Sequence, residues 1–413
     1  MNRSLIEFQS EILNIIKERG EEFKVDYSDL GSPIYRKRVE AVIRFAMKTR
    51  GVSLKREEHD WILSEIISEL IGLGPVKKLL NDPEISEIMI NGTTRVYIER
   101  GGKLELTNAV FKDEEQLKYF TEQIVSSAGR RVTEYEPYVD ARLKDGSRVN
   151  IIRPPASSIG TVLTIRKFSR NILSMDDLIN AGTLDNTIAL FLRSCVQARK
   201  NILISGGAGA GKTTLLNIIS SFIGTDERVI TIEDTLELKL TSNHVIPLEA
   251  RPPNIEGKGE ISIRTLLRNS LHMRPDRIIV GEVRSQEALD MTQAMNTGHD
   301  GSMCTLHSNS PLDCLDRLEV LLLMGSPNIS GEVAKRQIIS AIDLIIHMVR
   351  LPSGARKIYK ISELEKSKGY ILRDIFIFDE TSNSIKATGI VPSLYFELKN
   401  KTNYKYEGFE RNS

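Results

Sequence analysis

Residues Gly206 to Thr213 in "GGAGAGKTT" match GxxxxGKT, the pattern of a phosphate-binding loop. At Gly206, Gly207, Ala208, Gly209, Ala210 and Gly211, small residues let backbone N–H groups close around phosphate oxygens. Lys212 reaches the β- and γ-phosphates, Thr213 offers a hydroxyl to Mg2+, and Thr214 completes the helix start that favours an anion. Two acidic positions extend this chemistry. "RVITIEDTLEL" delivers Glu233 and Asp234, and "RIIVGEVRS" delivers Glu282. A hydrolytic site needs one carboxylate to orient or deprotonate water and another to hold Mg2+ or its waters. Either Glu233 or Glu282 can be the base. Gly281 occupies the place directly after the apolar run where the magnesium acid usually stands, so Glu282 takes that role through a water or the backbone shifts by one residue.

The segment "GHDGSMCTLHSNSPLDC" gathers His299, Cys304, His307 and Cys314, which raises zinc as an alternative. The cysteines lack the CxxC pairing of structural zinc sites. "MCTLH" instead reads as a strand with His307 at its C-terminal end, where an imidazole can hydrogen-bond a γ-phosphate and report its presence. His299 then supports that arrangement or couples to a neighbouring subunit, Cys304 is a small core residue and Cys314 is incidental.

These residues converge only if an α/β fold positions them. "NILISGGAGAGKTTLLNIISSF" has a buried-strand pattern at Ile202, Leu203 and Ile204, then the loop, then an apolar helix. Strands and helices go on alternating, as in a parallel sheet whose strand C-termini share one crevice. "IDLIIHMVRL", "RKIYKISEL" and "YILRDIFIFD" predict a closing strand meander. Upstream, Leu5, Phe8, Ile12, Ile15 and Ile16 recur with helical spacing behind a Ser4–Glu7 capping box. Two further amphipathic stretches follow and complete a helical bundle. "GLGP" ends the bundle, and "SEIMIN", "RVYIER", "KLELTN" and "TVLTIRKF" read as strands around one helix and an Asp145–Gly146 hairpin turn. The expected organisation is a bundle over 1–71, an α/β domain over 72–168, a hinge linker over 169–182 and a phosphate-loop domain over 183–413.

At 413 residues, more than one core is expected. The 56 basic and 55 acidic side chains nearly cancel and name no polyanionic partner. Three cysteines cannot build a disulfide framework, acids interrupt the N-terminal apolar residues, and no run suits a membrane span. The chain reads as soluble and cytoplasmic, with no transmembrane segment.

In order along the chain, "GGAGAGKTT", "RVITIEDTLEL", "LLRNSLHMRPDRIIVGEVRSQEA" and "TGHDGSMCTLHSNS" resemble the secretion ATPases of type II and type IV secretion systems, type IV pili and archaeal flagella. With "GPVKKLLNDPEISEIMINGTTRVYIERGGKLE", the chain looks most like the CpaF-type ATPases of tight-adherence (Tad) pili. The four-cysteine zinc module usual in the type II enzymes is missing. The resemblance implies an α/β protein, with a RecA-like ATPase domain preceded by a small PAS-like α/β domain and a three-helix bundle. It implies a homo-hexamer using ATP and Mg2+, with nucleotide between the two α/β domains, acting at the inner membrane on platform proteins of a pilus or secretion machine. No direct nucleic acid contact is expected. It also implies that Arg148 in "DGSRVNIIRPP" and Arg166 in "TVLTIRKF" contact the γ-phosphate, with Arg153 a third, in the same subunit or across an interface. The alternatives are a RecA-like nucleic-acid translocase or a DNA-transfer secretion ATPase. A GTPase would need an NKxD-type guanine-reading motif, which is not found, and a non-catalytic ring member would have little reason to keep both acidic clusters.

Overall fold

The computed structural model describes residues 3–18, 33–70, 75–143, 145–168, 174–240, 242–253, 258–326, 328–366, 369–402 and 404–405. It divides into two compact units, Met1–Arg170 and Asn171–Ser413. Residues 71–74 of the expected first boundary and 169–173 of the expected linker lie outside the described residues.

In the first unit, helices α1 (Arg3–Glu18), α2 (Pro33–Arg50) and α3 (Arg56–Leu70) share one core. Phe8, Ile12 and Ile16 meet Val39, Ile43, Ile62 and Ile66 there, each contributing about 1.5–3 kcal/mol of burial. Ser4 lies inside α1, so the expected capping box does not start this helix. After α4 (Lys77–Asn81) come β1 (Ile85–Asn91), β2 (Arg95–Arg100), β3 (Lys103–Leu106), α5 (Glu114–Ser127), β4 (Tyr138–Arg142), β5 (Arg148–Ile152) and β6 (Val162–Arg166). The strands form an antiparallel sheet in the order β3-β2-β1-β6-β5-β4. Alternation sends Ile88, Ile90, Val149, Ile151, Leu163 and Ile165 toward Leu117 and Phe120 of α5. The β4–β5 turn is set by Asp145, whose carboxylate accepts from the Ser147 amide at 3.0 Å.

The second unit opens with α6 (Met175–Asn180), whose capping box is formed by Ser174 and Asp177, and α7 (Asn186–Gln197). Then follow β7 (Ile202–Gly206), α8 (Lys212–Ser220), β8 (Val229–Glu233), β9 (Val245–Glu249), α9 (Ile263–Ser270), β10 (Arg277–Val280), α10 (Glu287–Asn296), β11 (Met303–His307), α11 (Pro311–Gly325) and α12 (Gly331–Ala341). The expected meander is β12 (Leu344–Arg350), β13 (Arg356–Leu364) and β14 (Leu372–Asp379), extended by β15 (Ser384–Ala387), before α13 (Tyr395–Thr402). One sheet runs β15-β14-β13-β12-β7-β11-β10-β8-β9, parallel from β12 through β9 and antiparallel across the meander. Helices α7, α8 and α13 cover one face, and α9 to α12 the other. With both faces covered, β7, β8 and β10 are apolar almost throughout and buried along their length.

Candidate phosphate site

The C-terminal ends of β7, β8, β10 and β11 lie along one edge of this sheet. β7 runs into the glycine-rich loop at Gly206, which is the register partner of His307 on β11. A side chain at Gly206 is excluded, because a Cβ would stand 2.3 Å from the Met348 carbonyl oxygen of β12. The loop then enters α8, which begins at Lys212.

Lys212 is almost wholly buried, and its ammonium donates to the carbonyls of Gly206 (3.0 Å) and Gly207 (2.9 Å) and to Nδ1 of His307 (3.3 Å). An ammonium has donors only, so Nδ1 is the acceptor and the imidazole proton sits on Nε2. Nε2 lies 3.0 Å from Oε1 of Glu282. The other oxygen of Glu282 accepts from Arg284 Nη2 at 2.6 Å, and Arg284 Nη1 reaches Asp234 at 2.7 Å. Lys212, His307, Glu282, Arg284 and Asp234 therefore form one polar relay along the strand ends.

The electrostatics match the geometry. Burial, reinforced by the charges of Lys212 and Arg284, favours the neutral ring and holds His307 below the ordinary imidazole range, against the opposing pull of Glu282. For Glu282, burial pushes upward, but the Arg284 hydrogen bond and charge, His307 and Lys212 outweigh it and keep the carboxyl below its ordinary range. The relay thus carries a carboxylate beside a neutral imidazole at neutral pH.

Glu233 ends β8 nearby, yet its carboxylate accepts from the backbone amides of Glu237 (2.9 Å) and Leu238 (3.1 Å). It shapes the turn after its own strand. A Cβ at Gly281 would stand 3.0 Å from Glu233 Cγ, a tight contact that a larger residue would make only if the Glu233 side chain shifted.

Of the other residues singled out in the sequence, Cys304 and Cys314 are buried thiols. Burial pushes Cys304 far up and Cys314 up to about 12. Cys314 is therefore a core residue rather than an incidental one. His299 faces the Ala294 carbonyl at 3.2 Å, at the end of α10. Among the described residues, no group of three or more His, Cys, Asp or Glu is arranged to hold a metal. In the first unit, Arg148 and Arg166 are cross-strand partners, and Arg166 Nε lies 3.8 Å from Glu87. Arg153 is turned into α5, donating to the Lys118 carbonyl (3.0 Å), Thr121 Oγ1 and Glu122 (3.2 Å).

Three features escaped the sequence reading. Arg284 joins both acidic strand ends, donating to Asp234 and Glu282. Arg356 Nε donates to the Gly209 carbonyl at 3.0 Å, tying β13 to the glycine-rich loop; the basic residues flanking the turn "LPSGAR" were its only signal. Buried His347 bonds Ser205 Oγ at 2.9 Å behind the loop, and burial lowers it to about 4.

The family model for type II/IV secretion system proteins matches residues 69–389. The chain belongs to that family. It is 33% identical over 299 residues to the conjugal transfer protein TrbB of Rhizobium radiobacter, covering 70% of this chain and 86% of TrbB. The type IV secretion system protein VirB11 of Brucella suis is 31% identical over 306 residues, 67% of this chain and 84% of VirB11. Among solved structures, the ATPase DotB of Yersinia pseudotuberculosis aligns with a TM-score of 0.51 at 17% identity, covering 73% of this chain and 80% of DotB. That last likeness concerns the fold alone. Among the described residues of this family member, no helix is long and apolar enough to cross a membrane.

Proposed function

We propose that this chain is a Mg-ATP hydrolase that works as a homo-hexameric motor, powering assembly of a Tad or type IV-like pilus, or secretion, through inner-membrane platform proteins. The observation that carries the hydrolase reading is the Lys212–His307–Glu282 relay beside a glycine-rich loop at the C-terminal edge of a parallel sheet. The RecA-like character of the second unit, a PAS-like first α/β domain and a cytoplasmic location at the membrane belong to the same reading.

The donor set suits the nucleotide. Helix-start amides and an ammonium suit phosphate, while the Thr213 hydroxyl and the Glu282 carboxylate are hard oxygen ligands for Mg2+, Glu282 through water. A magnesium ion held there would neutralise phosphate charge. Lys212 exchanges its loop carbonyls and His307 for phosphate oxygens. Released from Lys212, His307 gains a free Nδ1 and can take a proton, so its state reports an occupied site. We assign water orientation to Glu282, which His307 and Arg284 hold at the strand ends, rather than to Glu233, which accepts from two amides of its own turn. By resemblance, Arg148 and Arg166 bring guanidinium charge to the γ-phosphate, an effect of roughly 10³ to 10⁵ in rate, or about 4–7 kcal/mol.

The test is ATP turnover with Mg2+ by the full chain and by Lys212→Ala. We expect rings that hydrolyse ATP and a variant that does not; an unaffected rate rejects the assignment. The name of TrbB favours a second reading, DNA-transfer secretion. Turnover stimulated by single-stranded DNA would support it, and co-purification with pilin and platform proteins would support pilus assembly.

A further inference from the structure

We infer that His347 is a positioning residue of the phosphate site, setting the spacing between the glycine-rich loop and His307 from behind the loop. The inference rests on the phosphate role proposed for that loop. Strands β11, β7 and β12 lie side by side, and their register places Leu306, Ser205 and His347 in one cross-strand row. The next row toward the C-terminal edge is His307, Gly206 and Met348. His307 and the Gly206 carbonyl both accept from Lys212. His347 therefore stands one row behind the two groups that receive this ammonium.

The pair is a polar exception in an apolar sheet. Leu203 and Ile204 on β7, and Ile345 and Ile346 on β12, are buried hydrocarbons. Ser205 is fully buried as well, where an apolar residue would fill space without desolvating a hydroxyl. Its Oγ instead meets His347 Nδ1 at 2.9 Å. His347 is also buried, and a backbone hydrogen bond of Asn309 engages the same ring. A neutral imidazole carries one donor and one acceptor, so it can serve both groups at once. Burial keeps the ring in that neutral form at neutral pH. Ser205 directly precedes Gly206, and Asn309 follows His307 by two residues. One ring on β12 thus ties together the exits of β7 and β11, whose separation decides whether a phosphate held by loop amides also meets His307. The β12–β13 ladder slips its register between His347 and Met348, which stand opposite Lys360 and Ile358, so Tyr359 is an extra residue there. Bulges of this kind re-aim side chains beside functional sites. Ser205 and Ser308 both face the Cys314 thiol of α11, which closes the cluster.

The experiment uses the full chain and measures Mg-ATP turnover, affinity for a fluorescent ATP analogue and the denaturation midpoint in His347→Phe, His347→Gln and Ser205→Ala, beside Lys212→Ala. His347→Phe keeps a ring but cannot hydrogen-bond, whereas His347→Gln can still donate and accept. We expect His347→Phe and Ser205→Ala to lower kcat about tenfold with less than about a threefold change in affinity, because misalignment costs the transition state more than ground-state binding. His347→Gln should recover most of the loss, and combining Ser205→Ala with His347→Phe should cost little more than either alone. If His347→Phe fails to fold, Ser205→Ala and His347→Gln decide. Wild-type kcat in His347→Phe and Ser205→Ala, with turnover lost in Lys212→Ala, overturns the inference and leaves the parent reading standing. A lowered denaturation midpoint with kcat of the folded fraction unchanged assigns His347 to packing and overturns it too. Equal losses in His347→Gln and His347→Phe do the same, since the hydrogen bonds would then carry no effect. Turnover unaffected by Lys212→Ala overturns the parent reading instead.

Discussion

The two ends of β10 carry ion pairs of opposite character. At the start, Arg277 is 1% exposed and grips both oxygens of Glu227 at 2.8 Å, while Nη1 donates to the Val196 carbonyl at 2.7 Å. Arg199 adds a second guanidinium to Glu227 at 2.8 Å. Burial works to raise the Glu227 carboxyl, but the hydrogen bond and charge of Arg277 hold it below the ordinary range. Just past the other end, Glu282 is shared between His307 and Arg284, and Lys212 stands one step further along the relay. In the first network Arg277 and Glu227 are buried, so removing Arg277 strands a buried charge. The second lies at a partly open edge, and under the reading proposed above its members change partners when an anion arrives. One strand thus separates a buried ion pair from a polar relay at the sheet edge.

Breaking the buried ion pair should have the largest effect. Arg277→Ala is expected to lose about 3–5 kcal/mol in chemical denaturation followed by circular dichroism, with turnover of the folded fraction retained. Unchanged stability would erase the distinction. Next comes Glu282→Gln, expected to lower kcat about 100-fold, near 3 kcal/mol, while the denaturation midpoint stays in place.

His307→Asn should lower kcat about tenfold and remove a pH inflection. Folded His307 titrates below its ordinary 6.5, chiefly through burial, so the unfolded chain takes the proton first as pH falls. Its stabilising contribution is therefore complete above about 6.5 and lost as pH drops toward the folded value. Turnover should be flat from pH 8 to about 6.5 and decline below it in wild type but not in His307→Asn. The smallest effect belongs to the outer end of the relay. Arg284 and Asp234 are 49% and 37% exposed, so Asp234→Asn should change stability by less than about 1 kcal/mol, and less again in high salt.

Much of this comparison can be traced to local sequence. The apolar runs Ile202–Ile204, Val229–Ile232 and Ile278–Val280 read as buried strands, and Glu233, Glu282 and His307 follow from standing at or just beyond strand ends. The partners those residues chose were not readable. Glu233 turned to the amides of Glu237 and Leu238, which brings its Cγ to 3.0 Å from where a Cβ at Gly281 would stand. Arg153 and Arg166 look alike in one dimension, yet one clamps α5 and the other faces outward. The Asp145–Gly146 turn was legible, whereas the pairing of Arg142, Arg148 and Arg166 needed the register of three strands.

By itself, then, the sequence determined the main buried strands, where the glycine-rich loop falls, and which strands end in acids or histidine. Periodicity, glycine placement and strand termini are short-range properties, expressed within a few neighbouring residues. Tertiary structure alone decided that Lys212, His307, Glu282, Arg284 and Asp234 join into one relay, that Glu227 and Arg277 lock the opposite end of β10, and that three arginines align across a sheet. These partners lie up to 95 residues apart, and which donor meets which acceptor depends on strand order and on the side-chain volume between them.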